Sequence, residues 1–165
     1  MGGILTGAPR PAGPGAVARV EERTRAAALR YLAALNRHDA DAVAACVAEN
    51  FVNEHVSSMG RDVVGREAYR ERLDGFLADF ADLKYVMDDL VIRDVRAVLA
   101  YTMSFRLVPA GHAPVRVRGV FRLWVDADGL IARRIDYWDG SEVQRQLAAA
   151  ASSSASSAGS GTSAV

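Results

Sequence analysis

The chain has 165 residues, half of them hydrophobic, and equal numbers of acidic and basic side chains. That length suits one domain with a real core. Zero formal net charge gives no electrostatic reason to expect nucleic acid or an anionic membrane as a partner. Cys46 is the only cysteine, which excludes an intrachain disulfide and a cysteine-based metal cluster and suits a reducing interior.

Met1–Ala16 is rich in Gly and Pro and is expected to be disordered. Its first six residues match the short myristoylation pattern, but no basic cluster follows as a second membrane signal. No apolar run reaches membrane-spanning length and no secretory segment is evident, so a soluble, cytoplasmic protein is expected. Val17, Val20, Thr24, Ala27, Tyr31 and Leu35 recur at helical spacing and predict a first helix to Asn36. Asp39 can cap a short second helix through Val47, and Phe51–Val56 reads as a short strand. Gly65 precedes a third helix with an inner stripe of Tyr69, Leu73, Phe76 and Phe80.

The texture then changes to four strands, Tyr85–Ile92, Ala97–Val108, Val115–Val125 and Leu130–Trp138. Asp128-Gly129 supplies the turn before the last of them. Ser141–Gln144 reads as a capping box for a closing helix that bears Val143 and Leu147. Ala148–Val165 is low-complexity Ala, Ser and Gly and is expected to be a flexible tail. The folded unit is therefore expected over 17–147. Its class is α+β, with helices packed on one face of a curved antiparallel sheet that encloses a conical pocket.

This order of elements resembles the NTF2-like superfamily, in particular its SnoaL-like and ketosteroid-isomerase-like branch. The segments that carry the likeness are Arg30–Asn36 with Asp39, Ala48–His55, Gly65–Tyr69 and Asp128–Asp139. The resemblance implies a homodimer with a deep apolar pocket in each subunit and no cofactor. It also implies a cofactor-independent isomerase, cyclase or dehydratase acting on an apolar ketone such as a polyketide or steroid-like metabolite. The superfamily equally contains non-catalytic binding or dimerisation modules, and epoxide hydrolases.

By that resemblance, Tyr31 falls where ketosteroid isomerases hold an oxyanion, and His55 falls at or near their general base. Asp136 falls on the catalytic aspartate of SnoaL-type cyclases. Gly119 and Phe121 stand where relatives keep a second oxyanion-hole acid and a partner histidine. Thr102 and Ser104 replace two members of the Asp-Arg-Asp set of limonene-type epoxide hydrolases, which argues against that mechanism.

Asp136, His55 and Tyr31 are the candidate catalytic residues. Asp136 sits on a strand among apolar and aromatic residues, where a carboxyl must find a partner, keep a proton or face a cavity. It is either the general acid–base or a structural partner of Arg134, two residues away on the same strand face. The ordinary pKa of His55 suits proton transfer near neutrality; the alternative is a histidine fixed by a carbonyl or exposed on a loop. The Tyr31 hydroxyl either donates to an oxyanion or reaches a buried carbonyl. Trp138, Arg134, Asn53, Thr102, Ser104, Phe121 and Gly119 are expected around the substrate. His38 and His112 lie in turn-like sequence, and the three histidines show no metal-ligand spacing.

Overall fold

The computed structural model describes residues 13–57 and 59–159. The myristoylation-like start lies outside the described residues. Helix α1 (Pro14–Asn36) carries Pro14 in its first turn, where the missing N–H has no helical partner to lose. It buries a stripe that includes Ala27, Tyr31 and Leu35. Helix α2 (Ala40–Ala45) is capped by Asp39, whose side chain accepts the Ala42 N–H at 2.9 Å. Strands β1 (Val47–His55) and β2 (Val63–Val64) and helix α3 (Arg66–Asp79) follow.

Strands β3 (Phe80–Arg93), β4 (Arg96–Leu107), β5 (Ala113–Val125) and β6 (Ile131–Trp138) then lead into helix α4 (Gly140–Gly159). Phe80, expected on the stripe of the third helix, opens β3 instead. The cap of α4 is Asp139, which accepts both the N–H and the hydroxyl of Ser141; Ser141 is not itself the cap. Both boundaries read from composition move outward. α1 begins at Pro14, and α4 continues through the Ala-rich segment to Gly159, in keeping with alanine's high helix propensity.

The six strands form one sheet in the order β2-β1-β6-β5-β4-β3. It is mixed rather than wholly antiparallel, because β1 and β6 run parallel. That pairing sets Asn53 beside Arg134 and His55 beside Asp136, so residues about eighty positions apart in sequence become neighbours. Register shifts in β3, at Ala81/Lys84 and Met87/Asp89, are the kind of irregularity that bends a strand.

Helix α1 lies across the bent sheet and is tied to it at two points. The Thr24 hydroxyl donates to the Asp94 carbonyl in the β3–β4 turn at 2.8 Å. Farther along, Asn36 both donates to the Tyr85 carbonyl and accepts the Tyr85 N–H, which fixes the edge strand where it passes the cavity. Among the described residues no helix is long and apolar enough to cross a membrane.

Candidate active site

Helix α3, strands β1 and β6 and the inner sides of β3 and β4 enclose a partly open cavity of about 550 Å³. Its apolar wall includes Leu73, Phe76, Phe80, Met103 and Trp138, while Asn53, His55, Tyr69, Arg134 and Asp136 supply polar groups. Strand alternation explains the selection. Asn53 and His55 share the inward side of β1, whereas Glu54 between them turns out and binds Arg133.

Asp136 reaches the cavity yet is only 5% exposed. Its Oδ1 accepts the Tyr101 hydroxyl at 2.7 Å. Its Oδ2 has no hydrogen bond and lies 3.9 Å from His55 Nε2 and 4.0 Å from an Arg134 terminal nitrogen. Burial raises the pKa of this carboxyl above its ordinary value, against the opposing pull of Arg134 and of the Tyr101 bond. The result is a carboxyl with one oxygen anchored and one free.

Arg134 is 6% exposed and is not the bidentate partner of Asp136. Its Nε donates to Asn53 Oδ1 at 2.8 Å, one terminal nitrogen donates to the Tyr31 hydroxyl, and the other lies 3.1 Å from His55 Nε2. Its guanidinium also sits 5.0 Å from the centroid of the Phe121 ring, close enough for a cation–π contact. Burial, and then the adjacent Arg134 charge, lower the His55 pKa to about 4. His55 is therefore neutral at pH 7, contrary to the expectation of an ordinary histidine titrating near neutrality. Its Nε2 then accepts from Arg134, which puts the ring proton on Nδ1, a buried atom whose contact with the Arg61 backbone falls short of full hydrogen-bond geometry.

Tyr31 is placed behind the cavity. It is 1% exposed, is not among the lining residues, and accepts from Arg134. Its hydroxyl is bonded to that of Tyr69, and Tyr69 is the phenol that reaches the cavity. Burial raises the Tyr69 pKa, so it stays protonated and able to donate.

Four expected substrate neighbours lie elsewhere. Thr102 and Ser104 are absent from the cavity lining because β4 turns Tyr101 and Met103 inward. Thr102 instead donates to Asp88 at 2.9 Å. Phe121 is wholly buried beneath the site, packed against Tyr31, Tyr85 and Tyr101. Gly119 acts by leaving space. A Cβ there would lie 2.3 Å from the Tyr101 hydroxyl oxygen and 2.8 Å from the Tyr137 carbonyl oxygen. Only a glycine on β5 lets Tyr101 reach across from β4 to Asp136 on β6.

Tyr69, Tyr85 and Tyr101 were not singled out as site residues from sequence. Tyr69 was legible as an inward position of the third helix, and Tyr101 alternates with Thr102 along the Ala97–Val108 strand. Their meeting with Asp136 and Tyr31 depends on register. Among the described residues, no group of three or more His, Cys, Asp or Glu is placed to hold a metal ion.

The architecture defines a helix-covered, bent-sheet cone with a titratable cluster at the base of an apolar cavity. The SnoaL-like domain family matches residues 28–134, well over half of the chain, and the protein belongs to that family. No curated protein matches it in sequence.

Among solved structures, TsrD from Streptomyces laurentii is 26% identical, with 76% of this chain and 95% of that one covered and a TM-score of 0.63. A protein from Shewanella denitrificans OS-217 assigned as a SnoaL-like polyketide cyclase is 16% identical, covers 76% of this chain and 97% of its own, and has a TM-score of 0.68. An M. tuberculosis LEH-like epoxide hydrolase is 20% identical, with 77% and 90% covered and a TM-score of 0.66. At these identities the last two establish a shared fold.

Proposed function

We propose that this protein is a cytoplasmic, cofactor-independent acid–base enzyme of isomerase, cyclase or dehydratase type, acting on an apolar, ketone-bearing small molecule. The observation that carries this reading is the Asp136 carboxyl at the base of the cavity, one oxygen held by Tyr101 and the other unbonded. Its raised pKa moves it toward the range useful for proton transfer. The polyketide-cyclase and epoxide-hydrolase assignments of structural neighbours support small-molecule chemistry of this class.

In this mechanism ionised Asp136 removes a proton from the carbon next to the ketone, and the electron pair moves onto the carbonyl oxygen. Tyr69 donates to that oxygen. Tyr31 can give its own proton to the Tyr69 oxygen while accepting from Arg134, which frees the Tyr69 O–H for the substrate. Protonated Asp136 then returns the proton to a different carbon or to a leaving hydroxyl, or the enolate attacks a second carbonyl in the same molecule and Asp136 protonates the alkoxide that results. Neutral His55 holds the guanidinium in place and assists proton transfer only when a substrate changes its surroundings.

Incubation of 2-acetylnaphthalene with the protein in D2O tests this reading. Deuterium is expected to enter the acetyl methyl group, and Asp136→Asn is expected to slow that exchange about 10²–10⁴-fold with the fold intact by circular dichroism. Equal exchange by the two proteins would end the mechanism.

A second reading is a ligand-binding or dimerisation module without chemistry, and the near-complete burial of Asp136 favours it. A homodimer is compatible with either. The outer side of the sheet exposes Val91 and Val98, which are cross-strand partners. Sedimentation at graded concentrations tests this, with a mass of two chains expected.

A further inference from the structure

The Arg134 guanidinium makes three hydrogen bonds, and each goes to a neutral acceptor: Asn53, Tyr31 and His55. Arginine has five N–H groups and keeps its charge at any working pH. One N–H on each terminal nitrogen is therefore without a hydrogen-bond partner among the described residues. The nearest carboxylate oxygen, from Asp136, is 4.0 Å away and not in hydrogen-bond contact. A cation this buried is costly unless an anion meets it.

When Asp136 takes the proton, its charge passes to the enolate oxygen at Tyr69, so the net charge of the site is conserved while the anion 4.0 Å from Arg134 is lost. A carboxylate on the free N–H groups would stay beside Arg134 throughout the cycle.

The other charged groups around the cavity, Arg61, Glu71, Arg72 and Asp79, are exposed ones, so they do not substitute for an anion at its base. Asn53 and Tyr31 hold the guanidinium so that it stays on the cavity lining. The walls above it, Leu73, Phe76, Phe80, Met103 and Trp138, are apolar.

We infer that the substrate is an apolar oxo acid, whose carboxylate is bound by the free N–H groups of Arg134 while its ketone lies over Asp136 and Tyr69. This rests on the acid–base reading for the ketone but not for the carboxylate. A planar guanidinium fork matches a planar carboxylate, and charge-assisted bonds of this kind are the strong ones.

The test uses the full chain and three probes: 6-acetyl-2-naphthoate, its carboxamide and 2-acetylnaphthalene. Binding is followed by calorimetry and α-deuteration by NMR. The carboxylate is expected to bind about tenfold or more tighter than the carboxamide, and Arg134→Gln is expected to bring the two affinities together. Because Arg134→Gln can unfold the protein, the wild-type carboxylate-to-carboxamide ratio stands as an independent measure.

Equal affinities in the wild type, or tighter carboxamide binding, would overturn the inference. If exchange into 2-acetylnaphthalene persists in that case, the acid–base reading survives alone. Carboxylate preference without exchange into any probe would support the anion site and overturn the acid–base reading.

Discussion

Arg133 and Arg134 are sequence neighbours with the same side chain, and the two faces of β6 give them opposite tasks. Arg133 faces outward, where Nε and one terminal nitrogen bond both oxygens of Glu54 at 2.8 and 3.0 Å. Its guanidinium lies over the Trp124 ring, 5.1 Å from the centroid. It has good geometry in water, where such pairs contribute little. Arg134 faces inward, has its one nearby carboxylate, Asp136, at 4.0 Å and outside hydrogen-bond reach, and is surrounded by tyrosines, Asn53 and His55. Ideal ion-pair geometry therefore marks the solvated arginine, and an incomplete set of hydrogen-bond partners marks the one at the cavity. The same contrast applies to acids, since Glu54 is satisfied by its pair while Asp136 keeps an unbonded oxygen.

Replacing each arginine by methionine is the largest test of that contrast. Arg134→Met should cost about 3 kcal/mol in denaturant unfolding, because it strands the acceptors of Asn53 and His55 beside a buried acid. Arg133→Met should cost about 1 kcal/mol or less and leave deuterium exchange unchanged. Similar losses in the two variants would break the comparison.

Gly119→Ala probes the inner face without touching a charge. Its methyl group collides with Tyr101 and the Tyr137 carbonyl oxygen, and overpacking of this kind costs about 1–3 kcal/mol. Exchange should slow as Tyr101 leaves Asp136. An alanine variant with wild-type melting and exchange would show that the Tyr101 bond does not position the acid.

A smaller effect is expected from pH. The His55 pKa falls from its ordinary 6.5 to about 4 on folding, so the unfolded chain takes the proton first as the solution is acidified. Stability from the neutral histidine is complete above pH 6.5 and is lost as pH drops toward 4. Asp136, with a raised pKa, works in the opposite sense and gains stability on acidification, but it is common to wild type and a His55→Gln variant. The difference in Tm between the two proteins should therefore turn against the wild type between pH 6.5 and pH 4.5. A difference that stays flat would mean that His55 titrates as it does in the unfolded chain.

Much of the fold was legible in the chain. Helical spacing in α1 and α3, the Asp39 cap and the run of four strands follow from local chemistry that survives in the structure. The parallel β1–β6 pair was not legible, because it joins segments that no local pattern relates, and two-residue β2 is too short to leave a signal. The apolar strand context of Asp136 already made it unusual, and the structure places it on the cavity lining.

The choice of Thr102 and Ser104 over Tyr101 and Met103 shows why the remainder was hidden. A strand read one position out presents the wrong face. The role of Gly119 could not be read until β4, β5 and β6 were in register, since it is the space between Tyr101 and Asp136 that matters. The lowered pKa of His55 likewise arises from burial and from Arg134, which sequence distance conceals.

The central claim is that the inner face of β6 gives Asp136 a raised proton affinity. Its side-chain carboxyl carbon can be followed directly by 13C NMR across a pH titration, assigned by comparison with Asp136→Asn. The midpoint is expected above 3.8, the ordinary aspartate value, and should move higher in Tyr101→Phe, which removes the hydrogen bond that favours the ionised form. A midpoint at or below 3.8 would identify Asp136 as a stably ionised partner of Arg134 and contradict the account.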